Sequence, residues 1–224
     1  MSETKKKTNP TDRQKTAKII LQTDLGPVEA AGWKKRRATI TVNNRLEIKL
    51  KAPSWYTRRD MTDFVNENAA WVEKAKERFL NKQADRSPQQ KWEIEEAKQG
   101  LWQGKKVPPR SELKEAAVWY FLPLAEQEAQ RMGVSVTKVT VRFQKTLWGS
   151  CSAKGHISLN AMLMLAPESV RRYVVVHELA HRREMNHSQR FWDQVSRAMP
   201  DWPSARRWLK EHGDALILLE SRLE

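Results

Sequence analysis

The stretch His177-Glu178-Leu179-Ala180-His181 constrains this chain more than any other. In a helix, residues four apart share a face one turn apart. The stretch therefore aims two imidazoles at one point, with a carboxylate beside the first. Two neutral imidazoles so placed bind a divalent metal, most often zinc. Glu178 stands where it can take a proton from a water that such a metal activates. The preceding residues support a helix. Pro167 suits its first position and Glu168 its positive end, while the run Tyr173-Val174-Val175-Val176 calls for burial. The alternative is a pair of helix histidines with polar neighbours and no metal.

A third ligand is expected at His187, ten residues after His177, the spacing of the extended pattern H-E-x-x-H-x-x-G-x-x-H. On one continuous helix His187 would be rotated roughly 280° from His177 and lie about 15 Å further along the axis. The helix must therefore end soon after His181 and the chain must fold back. Asn186 tolerates a left-handed conformation and Ser188 can cap a new helix. Glu184 occupies the place of the pattern's glycine, so the turn must differ from the pattern's own. The other reading makes His187 a surface residue of an interhelix loop, with Glu184, Asp193 and Glu211 as weaker third ligands.

At 224 residues the chain suits one substantial domain, or a domain plus a smaller subdomain, and its 10 tryptophans supply large apolar groups for packing. Met1 to Pro10 is polar and Lys-rich, without the apolar core of a secretory signal. No apolar run approaches the roughly 20 residues that span a bilayer. Cys151 stands alone, so no intrachain disulfide forms, and a cytoplasmic protein is expected. Residues 1–60 hold 15 Lys/Arg against 6 Asp/Glu, much of the formal net charge of +14. Such a surface attracts polyanions, whether nucleic acid, nucleotides or acidic proteins; a merely solvated basic face fits as well. Trp33, Trp55 and Tyr56 could stack on bases or pack in a core.

Periodicity and punctuation divide the chain. Residues 1–16 read as a disordered basic tail. Residues 17–80 read as a β-strand and helix subdomain. It has strands within Ala17–Leu21 and Ala38–Leu50, a turn at Asn43-Asn44, and a helix capped by Asp60 running to about Leu80. Residues 81–110, broken by Ser87-Pro88, Gly100, Gly104 and Pro108-Pro109, read as a linker or mobile excursion, with a short helix over Gln90–Gln99. Residues 111–213 read as the metal-binding domain. Within it Ser111 opens a helix to about Met132, bent or restarted at Pro123 and ended by Gly133. Strands follow over Val134–Phe143 and His156–Asn160. Helices then open at Ser188 and Asp201, the latter ending at Gly213. Residues 214–224 read as a short final helix or tail.

The motifs "WGSCS", "VVVHELAH" and "NHSQRFW" together resemble the YgjP-like metallopeptidase family, related to SprT-like and wider zincin domains. The opening run "RRATITVNNRLEIKLKAP" is similar to the same family, and the resemblance spans most of residues 17–213. It implies His177, His181 and His187 as ligands of Zn2+ and Glu178 as the catalytic carboxylate. It also implies an α+β fold with a zincin-like core, in which a small antiparallel sheet packs beside the H-E-x-x-H helix, and an N-terminal β-rich and helical subdomain. Leu147 stands where the family's pattern has a basic residue, which puts substrate preference in doubt.

A peptide or protein is the expected substrate, aligned by strand addition along Gly155–Asn160, with Trp148, Gly155, Ser158 and Asn160 as candidate contacts. Trp148 and Cys151 are read first as structural, Cys151 as a small buried hydrophobe. His156 and His212 lack ligand spacing. Two other readings stand beside the peptidase. One is a metal-dependent nucleoside triphosphate pyrophosphatase, which the resemblance allows and the basic charge suits. It has no Walker-type glycine loop behind it. The other is a nucleic-acid-associated SprT-like protease or binding module, by analogy and from the basic N-terminal region.

Overall fold

The computed structural model describes residues 18–34, 36–43 and 45–223. These form two compact units, one ending at Arg86 and the other beginning at Ser87. The tail expected over 1–16 lies outside the described residues.

The first unit is built on strands β1 (Ile19–Thr23), β2 (Gly26–Trp33), β3 (Thr39–Val42) and β4 (Ile48–Pro53), in the order β1-β2-β4-β3. The outer pairs are antiparallel and the central pair, β2 with β4, is parallel. Alternation puts Val28 and Ala30 of β2 with Leu50 and Ala52 of β4 in one buried cluster. Val65 of α1 (Arg58–Glu67) and Val72 of α2 (Ala69–Ala84) complete it. Sequence periodicity misses β2, because glycine and alanine are poor strand formers; pairing on both edges overrides that preference. The single helix expected from Asp60 to Leu80 is two. Thr57 is the cap and Asp60 closes its capping box. Asn68 separates α1 from α2, its side chain donating to the Phe64 carbonyl at 2.8 Å.

In the second unit the region expected as a linker is packed structure. Ser87 caps α3 (Pro88–Lys98), and β5 (Leu101–Trp102) and β6 (Lys105–Lys106) make a tight hairpin. Ala97 and Trp102 belong to the main core, and the Trp102 indole donates to the Leu165 carbonyl at 3.0 Å. Buried Glu93 holds His212 Nδ1 at 2.8 Å. Gly100 and Gly104, both with positive φ, serve the hairpin rather than a break between domains.

Helix α4 (Arg110–Met132) runs through Pro123 as one element and ends at left-handed Gly133. It leads into a three-stranded sheet of β7 (Lys138–Arg142), β8 (Gly149–Cys151) and β9 (His156–Asn160), in the order β7-β9-β8. The fold is α+β, as expected, but this sheet is mixed rather than antiparallel: β7 pairs with β9 in parallel and β8 with β9 antiparallel. The chain reverses once through residues 143–148 and again at the Ser152–Gly155 turn, so β9 returns along β7 and inserts beside it. A 3-10 turn, Ala161–Leu165, then leads to α5 (Glu168–Ala180). Val174, Val175, Val176, Leu179 and Ala180 bury α5 among α4, the sheet and the last two helices. These are α6 (Gln189–Ala198) and α7 (Trp202–Glu220). The latter passes through Gly213 without a break, so residues 214–220 are not a separate helix. Gly213 is tolerated there because the Trp148 ring lies against it; a Cβ would stand 3.1 Å from Trp148 Cζ2. None of the described helices is long and apolar enough to cross a membrane.

Candidate active site

His177 sits in the last turn of α5 and His181 at its C-cap. The chain then folds back tightly, with the Arg182 amide donating to the Leu179 carbonyl at 2.9 Å and the Glu184 amide to the Ala180 carbonyl at 3.1 Å. Among described non-glycine residues only Leu46 and Gln103 have positive φ. The turn therefore needs neither a glycine at Glu184 nor a left-handed Asn186. Two arginines anchor it. Arg182 donates to the carbonyls of Ser135 and Ala153, both at 2.9 Å, and Arg183 to that of Met132 at 2.6 Å.

This turn brings His187 to the other two histidines. The ligand nitrogens of His177, His181 and His187 all lie within 4.8 Å of one another, and Nε2 of His177 and His187 are 3.1 Å apart. Two ligands of a tetrahedral zinc, each about 2.0–2.1 Å from the ion, are separated by roughly 3.4 Å, so the donor set fits that ion. His181 Nδ1 faces the Glu184 carbonyl at 3.1 Å. Donation there leaves Nε2 with its lone pair free. Burial pushes the His177 imidazole down to about 3, with further lowering from the neighbouring His181 and His187, and burial lowers His181 as well. Both rings are therefore neutral at pH 7, the form that ligates a metal.

Phe191, fully buried on α6, lies 4.8, 4.6 and 4.7 Å from the three imidazoles and makes the floor of the triad. Beside it, Tyr173, Trp202, Trp192 and His187 stack in series, with ring separations of 6.3, 4.5 and 5.9 Å. Sequence reasoning opens a helix at Ser188 and does not find its Phe191 and Trp192 at the site. The signal was their position one turn into the helix that follows His187.

Glu178 is 5% exposed, and among the described residues no hydrogen bond engages its carboxyl. Burial pushes that carboxyl up to about 8. It packs on Gly149 of β8, where only a residue without a side chain leaves room.

The substrate contacts expected from sequence are placed otherwise. Asn160 is fully buried: Nδ2 donates to the carbonyls of Gln144 and Leu147 at 2.8 and 2.9 Å, and Oδ1 accepts from the Met162 amide. Ser158 is 9% exposed and takes a bond from Gln144 Nε2. Both are structural, because β9 is the middle strand. Gly155 turns at φ +81 with the Arg182 guanidinium against it, and Trp148 packs on Gly213. Strand addition along Gly155–Asn160 is blocked, since β7 and β8 occupy both edges. Glu184 offers the triad only its carbonyl. Asp193 holds Gln189, and Glu211 lies near His212. His156 hydrogen-bonds Thr140 at 3.0 Å.

An α+β unit carrying this helix-borne histidine cluster and its adjacent carboxyl has the chemistry of a metallohydrolase. The profile of the YgjP-like metallopeptidase domain matches residues 106–212, so this part of the chain is similar to that family. The crystal structure of the metallopeptidase zymogen of Pyrococcus abyssi abylysin is 26% identical, covers 40% of this chain and 91% of its own, and superposes with a TM-score of 0.36. A search of curated proteins returned no match.

Proposed function

We propose that this protein is a zinc-dependent peptidase, with His177, His181 and His187 holding the metal and Glu178 moving the protons of the reaction. The observation that carries the reading is the convergence of three imidazoles beside a buried carboxyl that no hydrogen bond engages among the described residues. Zinc at such a site supplies Lewis acidity, activating water and polarising a carbonyl. Glu178 accepts the proton of the attacking water and delivers it to the leaving amine. Burial raises this carboxyl, and a zinc ion held by the neighbouring histidines would offset that by favouring the ionised form that accepts the proton. The Gly149 backbone fixes where the carboxyl stands, and Phe191 fixes the ring planes by packing. Substrate strand addition moves from β9 to β8. Among described residues β8 pairs only with β9, leaving its outer edge to align a peptide beside Glu178.

The test is hydrolysis of a peptide panel by zinc-loaded protein, repeated after chelation and with Glu178→Gln. Activity that depends on zinc and falls by at least about a thousandfold in the variant supports the reading. Undiminished hydrolysis by Glu178→Gln overturns the role given to that residue.

A further inference from the structure

We propose that Arg206 receives a substrate carboxylate next to the scissile bond and so sets specificity; this rests on the peptidase reading above. Several arginines of this unit are engaged. Arg110 pairs with buried Glu220 at 2.8 Å and Arg172 with buried Glu128 at 2.7 Å. Arg182 and Arg183 hold backbone carbonyls. Arg206 differs. It is exposed on the first turns of α7, and no hydrogen bond or ion pair engages it among the described residues. Its guanidinium carbon lies 4.9 Å from the Trp192 ring centroid and 5.8 Å from that of Trp202. The same Trp192 ring is 5.9 Å from the rings of both His177 and His187.

A cation is thus held on an aromatic platform whose other neighbours are the candidate ligands. Stacking of Trp192 on Trp202, 4.5 Å apart with planes 20° off parallel, makes that platform rigid. A guanidinium so held loses little freedom on binding, keeps its planar fork of donors, and matches a carboxylate in two-pronged geometry. The carboxylate can be an acidic side chain flanking the scissile bond or the free C-terminus of a short peptide. Both present the same group to Arg206.

The experiment uses full-length, zinc-loaded protein and matched peptides, blocked at both ends except where a free C-terminus is stated. One is neutral, one carries Asp beside the scissile bond, one carries Lys there, and one is neutral with a free C-terminal carboxylate. Wild type is expected to prefer one carboxylate-bearing peptide over the neutral one by about tenfold or more in kcat/KM. The favoured arm identifies the source of the carboxylate. Arg206→Ala removes the preference mainly through KM, Arg206→Lys keeps part of it, and Arg206→Glu turns it toward the Lys peptide. Calorimetric titration of Glu178→Gln protein with the same peptides gives the same order of binding, weakening with salt. Equal cleavage of all four peptides, or an acid preference that survives in Arg206→Glu, overturns the role of Arg206 and leaves the peptidase standing. Wild-type protein that cleaves none of a broad panel overturns the peptidase reading and this inference with it.

Discussion

Gly149 on β8 lies against the Glu178 side chain on α5, so closely that a Cβ at 149 would stand 2.6 Å from Oε1 and 2.7 Å from Cγ. The obstructing atoms belong to a side chain, so Gly149→Ala moves Glu178 rather than unfolding the sheet. Glu178 is buried and cannot simply swing into solvent. The expected result is a stability loss of about 1–3 kcal/mol together with a fall in peptide hydrolysis of at least about a hundredfold. Zinc stoichiometry stays unchanged, because the histidines are not the atoms displaced. Metal analysis beside a kinetic assay of the folded variant checks this; a variant with wild-type kcat would show that the glycine does not position the carboxyl.

Asn160 separates a structural role from a substrate role. It is fully buried, and its side chain satisfies the Gln144 and Leu147 carbonyls and the Met162 amide. Asn160→Ala leaves all three without that partner, so the folded state loses about 2–4 kcal/mol. Urea unfolding should report that loss, while KM of protein folded at low temperature stays within about twofold of wild type. A large rise in KM with unchanged stability would return Asn160 to the cleft.

The candidate metal-binding side chains were legible because helical spacing converts directly into geometry: two histidines four apart have one way to share a helix face. His187 was legible only as a spacing, since its approach depends on a turn whose anchors, Arg182 and Arg183, bond to backbone remote in sequence. Within residues 81–110, read as a linker or mobile excursion, the short helix was legible, but the hairpin was not, because Gly100 and Gly104 look the same in a hairpin as in a linker. What distinguishes them is the partner chain of contacts, Trp102 to Leu165 and Glu93 to His212, which no local pattern contains. The same limit put substrate contacts on β9. Strand character is local, whereas the order β7-β9-β8 is not.

Cys151 lies at the end of β8, and burial raises its thiol above the ordinary value. A raised thiol holds less thiolate at a given pH, and thiolate is the form that reacts. Alkylation by iodoacetamide at pH 8 should therefore be slower in the native protein than in the same protein unfolded in urea, with the native rate climbing only as pH rises beyond the usual cysteine range. Mass spectrometry over time measures both rates. Native labelling as fast as unfolded labelling would reveal an activated cysteine and revive it as a reactive group.

Metal binding should stabilise the fold through the triad, and the contribution of each ligand is separable. A ligand that binds only the folded state at about a thousandfold excess over its Kd adds about 4 kcal/mol. For a unit of this size that raises Tm by roughly 10 °C. His187 is exposed and reaches the site from the turn before α6, so His187→Ala should melt near the metal-free wild type and show little rise when zinc is added. Phe191→Ala should behave differently. It removes a fully buried ring packed against all three imidazoles and should lose about 3–5 kcal/mol with or without metal. Thermal scans of the three proteins, each chelated and then zinc-supplemented, test the pattern. An undiminished zinc-dependent rise in His187→Ala would leave His177 and His181 as ligands and remove His187 from the set.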